Sequence, residues 1–299
     1  SRNNESFSFL ELISWYLLEM YIQVDNLHKI YVEEYGKGTP VLCLHGGPGY
    51  PVPVKVWTKQ IDPKKYRIIT FHQRGCGKSK PFGSLVRNKT KYLIEDIEKI
   101  RKKLEIDKWI VFGGSWGATL TVYYTIAHPK NVLAFVTFGY ASFNNMMEES
   151  TKLMAPDVYD EWNIGKTEKK TMDLYAKKLR SKEKNKYINK WTYELNLFRS
   201  MNFPQFKKVK KHKTTKEKKK DLHSLAILEN HYYRNKGFVP KNYVMNNVKK
   251  LKGIPAFLIH GRFDLICTPK NSYDLYKKLP GAIFIMTEMA GHGTTDKNN

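Results

Sequence analysis

The stretch VFGGSWGATL, residues 111–120, sets Ser115 and Trp116 among Gly113, Gly114 and Gly117, after an apolar run and before a helix-like one. Gly113 to Gly117 satisfy G-x-S-x-G, the pattern of a nucleophile elbow, in which a sharp strand-to-helix turn holds a serine hydroxyl clear of the sheet. A serine hydroxyl is inert at neutral pH without a base, and the base needs a carboxylate to orient it. At such an elbow the acid and then the base follow later in the chain, past the ends of late strands. Asp264 closes FLIHGRFD and His292 closes FIMTEMAGH, in that order. Taken singly, the first reads as a turn aspartate and the second as a surface histidine; the elbow gives the pair a shared purpose. Acyl transfer also needs N–H donors aimed where the oxyanion develops. The backbone N–H of Gly47, within HGGPG (45–49), is the expected first donor, and that of Trp116 the second.

These residues need elements to hold them. KIYVEEYG, PVLCLHGGPG, YRIITFHQRGCGKS, KWIVFGG and VLAFVTFG read as strands, while KYLIEDIEKIRKKLEI and ATLTVYYTIAHP read as helices, the second closed by Pro129. The alternation predicts an α/β fold with a mostly parallel central sheet flanked by helices. From about 141 to 249 the strand pattern vanishes, and IPAFLIHGRFD and AIFIMTEMAGH then restore it. We therefore expect a core formed by 1–140 and 250–299. A helical cap, 141–249, is expected to enter late in the sheet and lie over the strand ends, where ligands bind in such folds. No internal repeat is evident.

The 299 residues are enough to bury a sizeable core. Lys and Arg number 52 against 28 Asp and Glu, a formal charge of +24, and only 9 of the basic residues are arginine. An excess made of lysine reads as a solvated surface, since planar recognition of phosphate or bases favours arginine. The densest run, KKVKKHKTTKEKKK (207–220), contains no aromatic residue and reads as a solvated loop within the cap, with contact to an acidic partner as the other reading. Cys43, Cys76 and Cys267 have neither disulfide nor zinc spacing, which fits a reducing, cytoplasmic setting. FSFLELISWYLLEMYI (7–22) is the most membrane-like segment. Glu11 and Glu19 interrupt it and it is short for a span, so an amphipathic helix or a strand packed on the core is expected instead of an anchor.

The chain resembles the prolyl aminopeptidases, or proline iminopeptidases, serine peptidases of the α/β-hydrolase fold. HGGPG, QRGCGKS (73–79), GGSWG, LENHYY (228–233) and HGRFD carry the resemblance, which runs from about Leu27 to His292. It implies removal of an N-terminal residue, preferentially proline, from peptides through an acyl-enzyme, with no cofactor, metal, nucleic acid or membrane involved. It also implies cap carboxylates that grip the free amino group. The matching positions are Glu229 in LENHYY and Glu194 in KWTYEL, where Tyr193 replaces the second tryptophan of a W-x-x-W-E stretch. Paired carboxylates suit a protonated amine entering a partly dry pocket, because they supply both charge and acceptors.

Three departures from the family pattern stand out. His72 precedes Q-R-G where the family has Asp, TFGYASF (137–143) replaces an L-R-G-I-F-like stretch that lines the pocket, and relatives continue past the matching histidine into a closing helix that would brace His292. Two other readings stay open at this stage: a general esterase or amidase using the same triad, and a catalytically silent basic binding protein.

Overall fold

The computed structural model describes residues 17–142, 152–200 and 215–293, excluding the side chains of 193–200. Eight strands form one sheet: β1 (Leu18–Gln23), β2 (Lys29–Tyr35), β3 (Thr39–Leu44), β4 (Tyr66–Phe71), β5 (Trp109–Gly114), β6 (Val132–Phe138), β7 (Ala256–Gly261) and β8 (Ile283–Thr287). Their spatial order is β1-β2-β4-β3-β5-β6-β7-β8. The first two pairings are antiparallel, and the remaining five are parallel. The α/β expectation therefore holds. All six parallel strands end on one edge, and each candidate catalytic residue lies just past one of those ends.

The strands form where apolar residues alternate or run together. β5, WIVFGG, alternates buried and half-buried positions, as a strand between two layers should. Helix α1 (Val54–Trp57) is a single turn, and α2 (Thr90–Lys103) buries Leu93, Ile97 and Ile100 at helical spacing, with Arg101, Lys102 and Lys103 at its carbonyl end. Helix α3 (Trp116–Ala127) buries eleven of its twelve residues, so its apolar character reflects burial on all sides and not a membrane role. Of the N-terminal apolar segment, residues 18–23 are edge strand β1; the part before residue 17 lies outside the described residues. Among the described residues no helix is long and apolar enough to cross a membrane.

Between β6 and β7 every named element is helical: α4 (Pro156–Trp162), α5 (Glu168–Lys178), α6 (Lys184–Ser200), α7 (Lys216–Arg234) and α8 (Tyr243–Asn247), with short 3-10 turns near the end. Helix α9 (Pro269–Tyr276) joins β7 to β8. Helices α4 to α7 share an aromatic core of their own, built on Trp162, Tyr175, Trp191 and Ile227. The lysine run departs from its reading as a loop. Residues 207–214 lie outside the described residues, but Lys216 to Lys220 form the first turns of α7. The Thr215 hydroxyl caps that helix by accepting from the Lys218 N–H, and lysine is a good helix former, so a cap and propensity outweigh the repulsion of clustered charge.

A buried ion cluster ties the sheet to α2. The Arg74 guanidinium donates to both oxygens of Asp96 at 2.6 and 2.7 Å, and to Asp25 at 2.9 Å. Arg74 and Asp96 are essentially unexposed, so a lone survivor would be an uncompensated buried charge. Arg74→Met should therefore cost about 3–5 kcal/mol of stability. A urea titration checks this, and a midpoint matching the wild type would show the cluster to be dispensable.

Candidate active site

Ser115 joins β5 to α3 with φ 57 and ψ −126, a strained conformation for a side-chain-bearing residue. The two flanking glycines explain how the elbow closes. A Cβ on Gly117 would overlap the carbonyl of Leu44, and one on Gly113 would overlap the carbonyl of Gly117. Only glycine permits both approaches. The turn is held by Ser115 N–H donating to the Phe138 carbonyl at 2.9 Å, while the N–H groups of Ala118 and Thr119 return to the Ser115 carbonyl.

The HGGPG loop lies directly against the serine: a Cβ on Gly46 would sit 3.1 Å from Ser115 Cβ and 3.6 Å from its Oγ. Gly47, with φ +114, is the next residue of that loop, and Trp116 opens the first turn of α3, where helix N–H groups point outward. The two expected oxyanion donors thus flank Ser115 on neighbouring segments. Gln73, which sequence reasoning quoted only within a motif, connects them. Its N–H donates to His45 Nε2 at 3.1 Å, its Nε2 donates to the His45 carbonyl at 2.9 Å, and its Oε1 accepts from Trp116 Nε1 at 2.8 Å.

Asp264 and His292 meet as expected. His292 Nδ1 lies 2.8 Å from Asp264 Oδ2, which leaves Nε2 as the nitrogen for a serine proton. The other carboxylate oxygen accepts from the N–H groups of Ile266 at 3.0 Å and Cys267 at 2.8 Å. Burial opposes the Asp264 charge, but attraction to His292 and hydrogen bonds with His260 and His292 outweigh it and hold the carboxyl well below the usual carboxylate range. His292 is 7% exposed. Gly139, at φ +61, brings the pair next to the elbow: a Cβ there would lie 3.2 Å from Asp264 Oδ2 and 3.6 Å from His292 Cε1. It follows Phe138, whose carbonyl holds Ser115. Its sequence signal was the glycine ending VLAFVTFG, in the stretch that departs from the family pattern.

Glu229 lies on α7, 2% exposed, and accepts the Trp191 indole N–H at 2.8 Å. That helix rests on the HGGPG loop. Ser224 Oγ donates to the Gly49 carbonyl at 2.8 Å, and Leu225 and Leu228 press on Gly47 and Gly49. The rest of LENHYY docks on the core, with Tyr232 donating to Asn88 Oδ1 and packing its ring 5.0 Å from that of Trp116. Trp191, the tryptophan of KWTYEL, was not singled out beforehand, although its motif was. Glu194 falls in the last turns of α6, whose side chains lie outside the described residues.

His72 occupies the family's Asp position as an acceptor: its Nδ1 receives the Lys78 N–H at 2.9 Å. Burial, with the nearby His45 ring and the charges of Lys78 and Lys220, pushes it down to about 3, and burial pushes His45 down to about 4. Both imidazoles are thus neutral in the folded chain. Among the described residues no group of three His, Cys, Asp or Glu side chains is placed to hold a metal ion.

With this geometry in view, comparison with known proteins is direct. A sequence model of the alpha/beta hydrolase fold matches residues 39–297, which fixes the class. An esterase from Exiguobacterium antarcticum superposes with a TM-score of 0.65 over 92% of this chain and 93% of its own, at 19% identity, a likeness of fold alone. Nearer relatives are proline iminopeptidases: that of Arabidopsis thaliana is 34% identical over 92% of this chain and 75% of its own, and that of Xylella fastidiosa (strain 9a5c) 32% over 92% and 91%. The proline iminopeptidase of Neisseria meningitidis serogroup B is 33% identical over 92% of this chain and 90% of its own. The chain belongs to the proline iminopeptidase family of α/β hydrolases.

The two neutral imidazoles predict an acid-side stability profile. Unfolded, His45 and His72 titrate near 6.5, so between that pH and their folded values of about 4 and about 3 the unfolded state binds more protons. The stability they protect is fully present above pH 6.5 and falls as the pH drops. At pH 5 each costs about 2 kcal/mol. His72→Asn, which keeps an acceptor for Lys78, should flatten the slope by up to about 1.4 kcal/mol per pH unit. Urea midpoints from pH 4.5 to 7 measure it, and an unaltered slope would contradict the neutral-imidazole account.

Proposed function

We propose that this chain is a serine exopeptidase that hydrolyses the N-terminal residue, preferentially proline, from peptides. The observation that carries the reading is the joining of two sites. A buried carboxylate, Glu229, sits on a helix packed against the same HGGPG loop that touches Ser115. On this reading 141–249 forms a helical cap over a core of 1–140 and 250–299, and the pocket lies between Glu229 and the elbow.

In the proposed reaction Ser115 Oγ attacks the carbonyl carbon of the N-terminal residue while His292 Nε2 takes its proton. Asp264 holds the imidazole by Nδ1 and stabilises its charged form. The N–H groups of Gly47 and Trp116 receive the oxyanion of the tetrahedral intermediate. His292 then hands its proton to the departing amine, which leaves the acyl-enzyme. Water, deprotonated by the same imidazole, releases the free amino acid and restores Ser115. No cofactor enters this route.

Glu229, with Glu194 as its proposed companion, binds the protonated amino group of the substrate. Two carboxylates offset the desolvation of that cation and require a free chain end. This is what favours an exopeptidase over a general esterase or amidase, which would need no anionic anchor. It also favours an enzyme over a silent basic binding protein, because the Asp264–His292 pair and the strained serine are costly features to retain without chemistry. The three cysteines are buried and form no disulfide, consistent with the proposed cytoplasmic setting.

The test compares proline-, alanine- and leucine-naphthylamides with an N-acetylated proline analogue. The free proline substrate should turn over fastest, and the blocked one should be nearly inert. Ser115→Ala should lower kcat by roughly 10⁴-fold or more. Glu229→Gln should lower kcat/KM for the free proline substrate by about 10- to 100-fold, the worth of a charge-assisted hydrogen bond, and leave hydrolysis of an uncharged ester intact. Equal turnover of blocked and free substrates would overturn the amine-anchoring role, and full activity in Ser115→Ala would overturn the serine mechanism.

A further inference from the structure

The Asp264 carboxylate serves two imidazoles. Besides His292, the side chain of His260 approaches the same oxygen, Oδ2, with Nε2 at 3.3 Å. His260 is the penultimate residue of β7, completely buried. Its Nε2 lies 2.5 Å from the Cys267 carbonyl, and its Nδ1 lies 2.6 Å from Ser272 Oγ on α9.

These contacts fix its orientation. A carbonyl only accepts, so Nε2 must carry the proton and donate to Cys267. Nδ1 pairs with the Ser272 hydroxyl, which fixes the rotation of the ring. The remaining reach of Nε2–H falls on Asp264 Oδ2, the oxygen that also accepts from His292. The titratable groups bearing on the carboxylate are His292, from the segment after β8, and His260, from β7. Helix α9 contributes the uncharged Ser272 hydroxyl, and the end of β6 contributes Gly139, which has no side chain.

We propose that His260 is a positioning residue for the Asp264–His292 pair: through Cys267 it fixes the loop carrying the acid, and by sharing Oδ2 it limits how strongly that acid raises the basicity of His292. Every donor added to a carboxylate spreads its charge and weakens its pull on an adjacent imidazolium. His260 therefore sets the pH at which the base becomes available. The Ser272 hydroxyl, bonded to Nδ1, holds the ring so that Nε2–H faces the acid, and the chain Ser272–His260–Asp264–His292 acts in series.

This inference rests on the serine-hydrolase reading of Ser115 but not on proline preference. Its test is accordingly the rate of Ser115 inactivation by a fluorophosphonate, followed from pH 4.5 to 9 in the full chain. His260→Phe removes the donor and keeps an aromatic volume. It should move the acid limb of the profile upward by about half a pH unit or more and lower the plateau roughly tenfold through misplacement of the acid. Ser272→Ala, which leaves the ring in place and serves should the phenylalanine variant fail to fold, should shift the limb in the same direction by less. His260→Gln, whose side-chain amide can still donate to Cys267, should return the limb toward the wild type. A folded His260→Phe or Ser272→Ala protein with a lowered plateau and an unmoved limb would overturn the proposal, since a merely structural role costs rate without shifting the titration. Failure of the wild type to react at all would instead remove the serine-hydrolase reading beneath it.

Discussion

The backbone of α3 lies so close to that of β3 that no side chain fits at residue 117, and the rest of the site follows from that contact. Gly117 against the Leu44 carbonyl, with Gly113 against Gly117, lets the chain reverse from strand to helix within one residue. The residue at the apex is forced to φ 57, and Ser115 occupies it. Such strain persists only where the surroundings over-determine it. Here β5 lies between β3 and β6, α3 is buried on nearly every side, and Phe138 holds the Ser115 amide. The same closeness that demands glycine also brings the HGGPG loop, which continues β3, into contact with the serine.

Trp116 carries the constraint outward. Its backbone belongs to the first turn of α3, while its indole binds Gln73 and packs on Tyr232. Gln73 in turn holds His45 by two hydrogen bonds, and Tyr232 belongs to the helix that carries Glu229. One side chain therefore links the elbow, the HGGPG loop, the QRG turn and α7. Ser224 and Leu228 close the circuit by seating α7 on Gly49. Glu229 is consequently held at a fixed offset from Ser115, although the two are 114 positions apart in sequence, and a fixed offset is what the proposed anchoring of a chain end requires.

The α/β architecture was legible because each parallel strand is a short apolar run and each early helix repeats at helical spacing. The meeting of Asp264 with His292, and the placing of Ser115 at a tight turn, were legible because each of the three lies within five residues of a strand's end. What escaped was contact across long separations. Gln73 reaches Trp116 over 43 positions and Trp191 reaches Glu229 over 38, and no local pattern marks either. His260 was hidden for a different reason: within AFLIHG it looks like one more inward strand residue, and its partners lie on a loop and a helix that periodicity cannot orient. The lysine run misled because charge density was weighed above the Thr215 cap.

His72, which departs from the family pattern beside the site, shows how such a network tolerates exchange. A carboxylate before Q-R-G would bring charge and two acceptor oxygens, whereas His72 brings one lone pair, and the Lys78 N–H takes it. Burial keeps the ring neutral, so no positive charge is introduced next to His45. The turn needs an acceptor at that position; it does not need a charge. Because Gln73 is the next residue, closing the turn with a neutral ring is enough to aim its side chain at Trp116 and His45. The exchange therefore ties the stability of the turn to a neutral imidazole, and so to acid pH.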